Sequence, residues 1–257
     1  MGFIFDALEA QGKKLASLWQ GRDDFSSDES GLNPLHKAVL KDKSSAIKSL
    51  IKKGVSLEEP TLDEETPLHL AVKYGKQKAF ALLIENGANL DAQDMHGKTA
   101  LHLAIERGDL KMIDALTEAG ADLEALTYGE VSPLLTAIWL QDEKVVEKLI
   151  QKGVDVNAVD DYNRIPLMEA VGEDNPLIVK MLLDAGADYQ VKNEEGQGVM
   201  DMADNPEIID VLTKNIPPLL LAGEMGAPDA LRENGENITL PTQDKTNPVP
   251  APTKQIS

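Results

Sequence analysis

The stretches "TPLHLAV" at residues 66–72 and "TALHLAI" at residues 99–105 are nearly the same seven residues, placed 33 positions apart. Related fragments keep this spacing through the middle of the chain, so that the pattern occurs in five copies. The second residue of each fragment marks copies 1 to 5 in order: Pro34, Pro67, Ala100, Pro133 and Pro166. A fixed period of this length is the sequence signature of a repeat protein, in which each copy is one supersecondary unit.

A second marker keeps the same step. Glycines follow each fragment at a constant distance, and they too are 33 residues apart: Gly54, Gly87, Gly120, Gly153 and Gly186. Because two separate markers stay in register over five copies, the repeat is not a chance match.

The residue types predict a pair of helices in each copy. Thr or Ser followed by Pro is typical of an N-cap and a first helical turn, where the missing proline N–H costs nothing. The second helix carries apolar residues at i, i+1, i+4 and i+5, as in Val145, Val146, Leu149 and Ile150. This pattern gives one buried stripe. The glycine that follows is expected in the left-handed conformation that ends a helix.

Two short helices cannot bury their apolar faces alone, but stacked copies can, so the expected fold is a solenoid. The period of 33 with T-P-L-H-x-A and a G-A-D turn resembles the ankyrin repeat. The predicted fold is therefore all-α, an ankyrin-repeat solenoid of helix-turn-helix repeats joined by protruding β-turn loops. We expect the repeat domain at residues 28–214, with a shortened sixth copy as the C-terminal cap.

The two ends of the chain differ from the repeats. At residues 1–27 we expect an N-terminal capping helix, because apolar residues recur at helical spacing: Ile4, Leu8, Leu15, Leu18 and Trp19. The alternative is a helix that docks on a membrane or a partner. Residues 215–257 contain several prolines and no apolar period, so a largely disordered tail is expected. The alternative is a tail that carries a linear motif or a secretion signal.

Composition narrows the possible functions. The chain has 257 residues, a formal net charge of −19, a pI near 4.5 and no cysteine. An acidic surface repels phosphate backbones and anionic lipids, so we expect neither nucleic acid nor membrane binding. The absence of cysteine excludes disulfides and thiolate metal sites. We expect a cytoplasmic monomer.

The sequence offers no catalytic constellation. Protease, hydrolase, phosphate-loop and dinucleotide motifs are absent, so neither an enzyme nor a cofactor or metal site is predicted. His36, His69 and His102 occupy the fourth place of their fragments. The family resemblance implies that these rings hydrogen-bond neighbouring loops. Asn157 resembles ankyrin asparagines that are hydroxylated in animal cells, with a structural role in its turn as the favoured alternative.

The resemblance also implies where a partner binds, namely on the concave side formed by the protruding turns and the first helices. Reading the corresponding positions of copies 2 to 5 gives a set of candidate partner-binding residues. They are Tyr74, Met95, His96, Arg107, Leu126, Tyr128, Val131, Trp139, Leu140, Asp161, Tyr162 and Arg164. Aromatic and Arg side chains are the usual anchors of protein interfaces.

Copy 4 departs from the pattern, because Leu135 replaces the histidine and Gln141 replaces the glycine between the helices. Two interpretations of Trp139 and Leu140 follow. Either the pair packs over the altered turn of its own copy, or it forms a continuous apolar patch with Leu126, Tyr128, Val131 and Tyr162.

The function predicted is a non-catalytic scaffold that holds a protein partner on the concave face, centred on copies 3–5. The acidic charge favours a partner with basic patches around an apolar centre. One alternative is a bacterial secreted effector or toxin antagonist that uses the same face. A weaker alternative is an enzyme with an unrecognised site near the first copies.

Overall fold

The computed structural model describes residues 31–160 and 162–216. These residues form twelve helices, and no β-strand occurs among them. The predicted capping helix at residues 1–27, Asp161 and the tail from residue 217 onward lie outside the described residues. The helices are α1 Pro34–Leu40, α2 Ser44–Lys52, α3 Pro67–Lys73, α4 Gln77–Glu85, α5 Ala100–Glu106, α6 Leu110–Glu118, α7 Pro133–Trp139, α8 Glu143–Lys152, α9 Pro166–Gly172, α10 Pro176–Asp184, α11 Val199–Met202 and α12 Pro206–Asn215.

Each first helix begins where the sequence predicts it. Asn33, Thr66 and Ser132 are extended N-cap residues whose side chains accept a hydrogen bond from the backbone N–H three residues later. The following proline fits the first turn, since its missing N–H is one that a helix leaves unpaired. Two copies differ: Thr99 of copy 3 accepts no such cap bond, and in copy 5 Ile165 holds the N-cap position and provides no side-chain bond.

The glycines after the second helices have the predicted left-handed backbone, for example φ 79° at Gly54 and 88° at Gly153. A second left-handed position lies between the two helices of each copy. Glycine is not required there, since Gln141 has φ 52° and Asp174 has φ 59°. The loss of glycine in copy 4 therefore leaves the backbone path between its helices unchanged.

The core runs from copy to copy through equivalent positions. The leucine after the marker residue of each copy is at most 1% exposed: Leu35, Leu68, Leu101, Leu134 and Leu167. First helices pack on the first helices of neighbouring copies, and second helices do the same. Burying each leucine fully contributes about 1.5–3 kcal/mol relative to leaving it exposed. The shortened sixth copy closes the stack with Val199 and Leu212, both fully buried.

The loops are joined by a row of side-chain acceptors. The side chains of Glu58, Asp91, Glu124 and Asn157 each accept a hydrogen bond of 2.7–2.9 Å from a backbone N–H in the next copy. Asn157 also donates its amide N–H to the carbonyl of Gly186 at 3.1 Å. Its side chain therefore has the structural role in the turn that the sequence favoured.

Candidate protein-binding face

Three buried histidines fix the turns of copies 2 to 4. The Nδ1 atom of His69 accepts from the backbone N–H of Thr66 at 3.1 Å, and its Nε2 donates to the carbonyl of Lys98 at 3.0 Å. His36 and His102 make the equivalent pair of bonds. Burial lowers the pKa of all three rings below the ordinary value for histidine, so the neutral form is favoured.

Neighbouring turns are also joined directly through their backbones. The N–H of Met95 donates to the carbonyl of Asp63, and the N–H of Tyr128 donates to the carbonyl of His96, both at 3.1 Å. The contact is close, because a Cβ atom added to Gly97 would lie 2.3 Å from the Tyr128 nitrogen. These bonds hold successive turn tips in a fixed row.

We call the surface formed by these tips and by the C-terminal ends of the first helices the turn face. Nine of the predicted residues are exposed on it, while Val131 and Arg164 are half-buried and Asp161 is outside the described residues. Leu62 and Val159 belong to the same face and are 76% and 52% exposed, yet the sequence reading missed them. The period would have identified Leu62, because it precedes Met95 by 33 residues.

The cations of the turn face in copies 2 and 3 are engaged by the protein itself. Lys73 pairs with Glu65, and Lys98 pairs with Glu106. The hydrogen bond to Glu65 raises the pKa of Lys73. Arg107 donates to the carbonyl of Lys73 at 3.0 Å, at the C-terminal end of α3 where a cation is favourable. Arg107 therefore stabilises the junction between copies 2 and 3.

Copy 4 has apolar side chains at the two positions that form an ion pair in copies 2 and 3. Positions 65 and 73 in copy 2 and positions 98 and 106 in copy 3 hold opposite charges, whereas the equivalent positions in copy 4 hold Val131 and Trp139. The tryptophan thus stands where the other copies carry one half of an ion pair.

The contacts of Trp139 belong to copy 5. Its indole Nε1–H donates to the Glu169 carboxylate at 2.7 Å. The guanidinium of Arg164 lies 5.1 Å from the centroid of the indole and 5.0 Å from that of the Tyr162 ring. Arg164 is itself held by the Asp160 carboxylate. We call Trp139, Arg164, Tyr162, Glu169 and Asp160 the aromatic–arginine cluster.

The cluster joins copies 4 and 5 without a histidine. Leu135 is buried and has no polar atom with which to hold the next turn. Instead Arg164 reaches back from copy 5 and donates to the carbonyls of Gly129 and Glu130, both at 2.8 Å. The surface around Trp139 therefore carries paired charged groups as well as aromatic rings, which amends both interpretations drawn from the sequence.

Comparison with known proteins agrees with this architecture. The family profile described as "Ankyrin repeats (3 copies)" matches residues 7–94, 35–127, 82–160 and 126–193. The chain belongs to the ankyrin repeat family. The predicted ankyrin solenoid is thereby confirmed, and with it a fold used for protein interaction.

A solved structure shows the same ankyrin arrangement. The crystal structure of the ankyrin repeat domain of Bcl-3, "a unique member of the IkappaB protein family", is 29% identical to this chain with a TM-score of 0.71. The similarity covers 77% of this chain and 90% of the Bcl-3 domain chain. A search of curated protein sequences gave no match.

The rest of the described ankyrin stack offers neither a metal site nor a membrane-spanning helix. No group of three His, Cys, Asp or Glu side chains in residues 31–160 and 162–216 is placed to hold a metal ion. Across the same residues, no helix has the length and apolar character that crossing a bilayer requires. Two open grooves of about 430 and 440 Å³ lie near the last copies, and none of the exposed apolar residues of the turn face lines them.

Proposed function

We propose that this ankyrin stack is a non-catalytic scaffold that binds a protein partner on the turn face, centred on copies 3–5. One observation carries the proposal. Eleven large apolar or aromatic side chains are exposed in the described residues, and all but Leu177 and Ile209 lie on the turn face. The nine are Leu62, Tyr74, Met95, Leu126, Tyr128, Trp139, Leu140, Val159 and Tyr162.

A concentration of this kind indicates an interface. Single exposed apolar residues are ordinary, but contiguous apolar patches rimmed by polar groups mark interaction sites. Tyr128 is 62% exposed and Leu140 is 49% exposed, so both have surface left to bury. The large exposed side chains of the turn face include three tyrosines and one tryptophan, types that interfaces favour.

The charges of the turn face favour a partner of complementary charge. Lys73, Lys98 and Arg107 are engaged by the protein's own acceptors. By contrast, the carboxylates of Asp63 and Glu130 form no ion pair with any residue that the structure describes. A partner with basic patches around an apolar centre would complement this surface.

The face is also rigid before binding. Histidine and backbone bonds fix the turns of copies 3 and 4, and Arg164 joins the turn of copy 5 to that of copy 4. A surface that is ordered in advance loses less conformational entropy when it binds. We also propose that the protein is a cytoplasmic monomer. In keeping with the net charge of −19, this face binds neither nucleic acid nor membrane.

The test compares two double variants. Tyr128→Ser with Leu140→Ser removes apolar area from the turn face, and Leu177→Ser with Ile209→Ser removes it from the other exposed positions. Trp139 is left intact because its contacts with Arg164 and Glu169 would confound stability with binding.

Affinity capture with quantitative mass spectrometry identifies preys, and calorimetry with each purified prey then measures binding. We expect the turn-face variant to lose about tenfold or more in affinity, a typical effect of removing interface anchors. Melting should change little in either variant. Wild-type affinity in the turn-face variant, or an equal loss of affinity in both variants, would contradict the proposal.

A further inference from the structure

The start of the stack is basic in an otherwise acidic chain. Residues 37–53 contain six lysines and one carboxylate, Asp42, while the whole chain carries −19. Most of these lysines are exposed, and copy 2 adds two more at the beginning of its second helix. We call the following residues the lysine band: Lys41, Lys43, Lys48, Lys52, Lys53, Lys76 and Lys78.

The band differs in sign from the same positions farther along the stack. Lys48 and Lys52 of α2 correspond, two copies on, to Asp114 and Glu118 of α6. Those carboxylates bind Lys152 of α8 at 3.2 and 3.1 Å. The outer side of copies 3 and 4 is thus neutralised by ion pairs between copies. Among the described residues, no carboxylate pairs with Lys48 or Lys52.

The band also occupies positions that would stabilise the helices if they were acidic. Asp109 and Asp142 cap the second helices of copies 3 and 4 by accepting from the backbone N–H of Met112 and of Val145, each at 3.2 Å. The equivalent residues of copies 1 and 2 are Lys43 and Lys76, which form no side-chain cap. In copy 2 the Asp42 carboxylate of copy 1 instead accepts from the backbone N–H of Ala79 at 2.8 Å. A lysine at a helix N-terminus also opposes the helix dipole. Both copies therefore carry positive charge at a helix start where an acidic residue would be favourable, and in copy 1 the residue at this position also provides no side-chain cap.

We propose that the lysine band binds an acidic peptide segment of a second partner protein. Its charge complements Asp and Glu side chains, and lysine ammonium groups on flexible stems can pair with carboxylates in many arrangements. The stack then joins two partners of opposite charge, a basic one on the turn face and an acidic one on the outer side of copies 1 and 2.

The remaining chemistry of this region favours a peptide over other polyanions. The band contains no arginine, and the large exposed apolar side chains of copies 1 and 2 are Leu62 and Tyr74, both on the turn face. Bases would therefore lack an aromatic platform in the band, and a bilayer would lack an apolar anchor.

The size of the band gives a second reason. The nine residues of α2 span about 13 Å, and charges are screened over about 8 Å at physiological salt. A short acidic segment stays within the band. A duplex or a membrane surface extends over the acidic remainder of the chain and is repelled there.

The test uses a fluorescein-labelled peptide of about eight Asp and Glu residues, with fluorescence anisotropy of the full chain at about 50 mM salt. Lys48→Glu with Lys52→Glu reverses the charge at two of the seven lysines of the band. Lys111→Glu with Lys144→Glu changes the net charge equally at exposed lysines of copies 3 and 4. We expect the band variant to bind about tenfold more weakly and the control to stay within about twofold. No binding by the wild type, or an equal loss in both variants, overturns the proposal.

A further substitution separates binding from folding. Lys43→Asp introduces at α2 the cap seen at Asp109 and Asp142, so we expect the melting temperature to rise by about 2–4 °C while peptide affinity falls. A rise in melting temperature with unchanged affinity overturns the proposal.

Competing occupants are tested with the same protein. A duplex of about twelve base pairs and vesicles containing about 30% phosphatidylserine are compared with the peptide at equal anionic charge. Weaker binding of both supports an acidic peptide, and tighter binding of either overturns it. If peptide binding appears only after Asp23, Asp24, Asp28 and Glu29 are changed to their amides, the occupant is the chain's own acidic segment and the proposal is also overturned.

Discussion

The first three junctions of the stack, which join copies 1 to 4, and the fourth junction, which joins copies 4 and 5, are held by different side chains that reach in opposite directions along the chain. In the first three junctions a buried neutral histidine reaches forward to a carbonyl of the next turn, as His102 does to Val131 at 3.1 Å. At the fourth junction Arg164 reaches back to two carbonyls of the preceding turn, and Trp139 covers it.

This difference changes what each junction shows to solvent. The histidines that bond the next turn lie inside the stack, with His69 and His102 each 1% exposed. The aromatic–arginine cluster lies on the turn face, where Trp139 is 36% exposed. At the fourth junction the stabilising contacts are on the surface, so aromatic rings lie beside the candidate partner site. The exposed side chains of copies 4 and 5 therefore also stabilise the contact between these two copies.

Removing one of these buried histidines should have the largest effect on the free energy of unfolding. His102→Leu copies the residue of copy 4 but leaves the Thr99 N–H and the Val131 carbonyl without their partner. We expect a loss of about 2–3 kcal/mol in the free energy of unfolding, because buried unpaired polar groups carry their full desolvation cost. Urea unfolding followed by circular dichroism measures it.

The reverse exchange is the control. Leu135→His restores the histidine in copy 4, where the Ser132 N–H is again three residues before the ring. We expect a change of less than about 1 kcal/mol, since a potential partner is present but the turn is already held by Arg164. A stabilisation as large as the loss in His102→Leu would show that the cluster does not replace the histidine.

The next effect is that of the arginine. Arg164→Met keeps the length of the side chain but removes the ion pair with Asp160, whose side chain is 3% exposed, and both bonds to the turn of copy 4. We expect a loss of about 1.5–2.5 kcal/mol in urea unfolding, as for other charged groups that lose a partner. Arg164→Lys keeps the charge without the planar fork, so it should recover only part of the loss. Full recovery would reduce the role of Arg164 to its charge.

Acid should weaken the first junctions before the fourth. The folded pKa values of His36, His69 and His102 lie below that of an unfolded histidine because of burial. The unfolded state therefore binds more protons below about pH 6.5, so stability is full above that pH and falls as the pH drops. Between about pH 7.5 and 6 the rings protonate only in part, and we expect a smaller loss than in the substitutions.

Hydrogen exchange resolved by peptide measures this difference. Amides of copies 1 to 3 should lose more protection than those of copies 4 and 5 when the pH falls, after correction for the intrinsic exchange rate. Equal losses along the stack would place the acid sensitivity outside the histidines.

The sequence predicts the helices, the glycine turns and the capped first helices because these depend on local residue types repeated with one period. It also places most residues of the turn face, since equivalent positions share a backbone location. It did not predict that Arg164 would be engaged by Asp160 and two carbonyls, because the period does not specify side-chain partners between copies. The lysine band was overlooked because the net charge of −19 averages over the chain.

The smallest expected effect concerns the acceptor of the indole. Glu169→Ala removes the hydrogen bond to the Trp139 Nε1–H, which is at the surface and should contribute less than about 1 kcal/mol to stability. The structure instead predicts a change in fluorescence, because the indole loses a charged acceptor at 2.7 Å. Trp19→Phe provides a background in which Trp139 is the single tryptophan.

The matched control is Glu173→Ala, whose carboxylate accepts from Gln141 and not from the indole. An emission shift in Glu169→Ala alone, with unfolding nearly unchanged, would show that the indole is held by copy 5 yet remains available to a partner. If Glu169→Ala instead destabilises the protein as strongly as Arg164→Met, Trp139 is chiefly a structural bridge. The binding role would then rest on Tyr128, Leu140 and the other exposed side chains of the turn face.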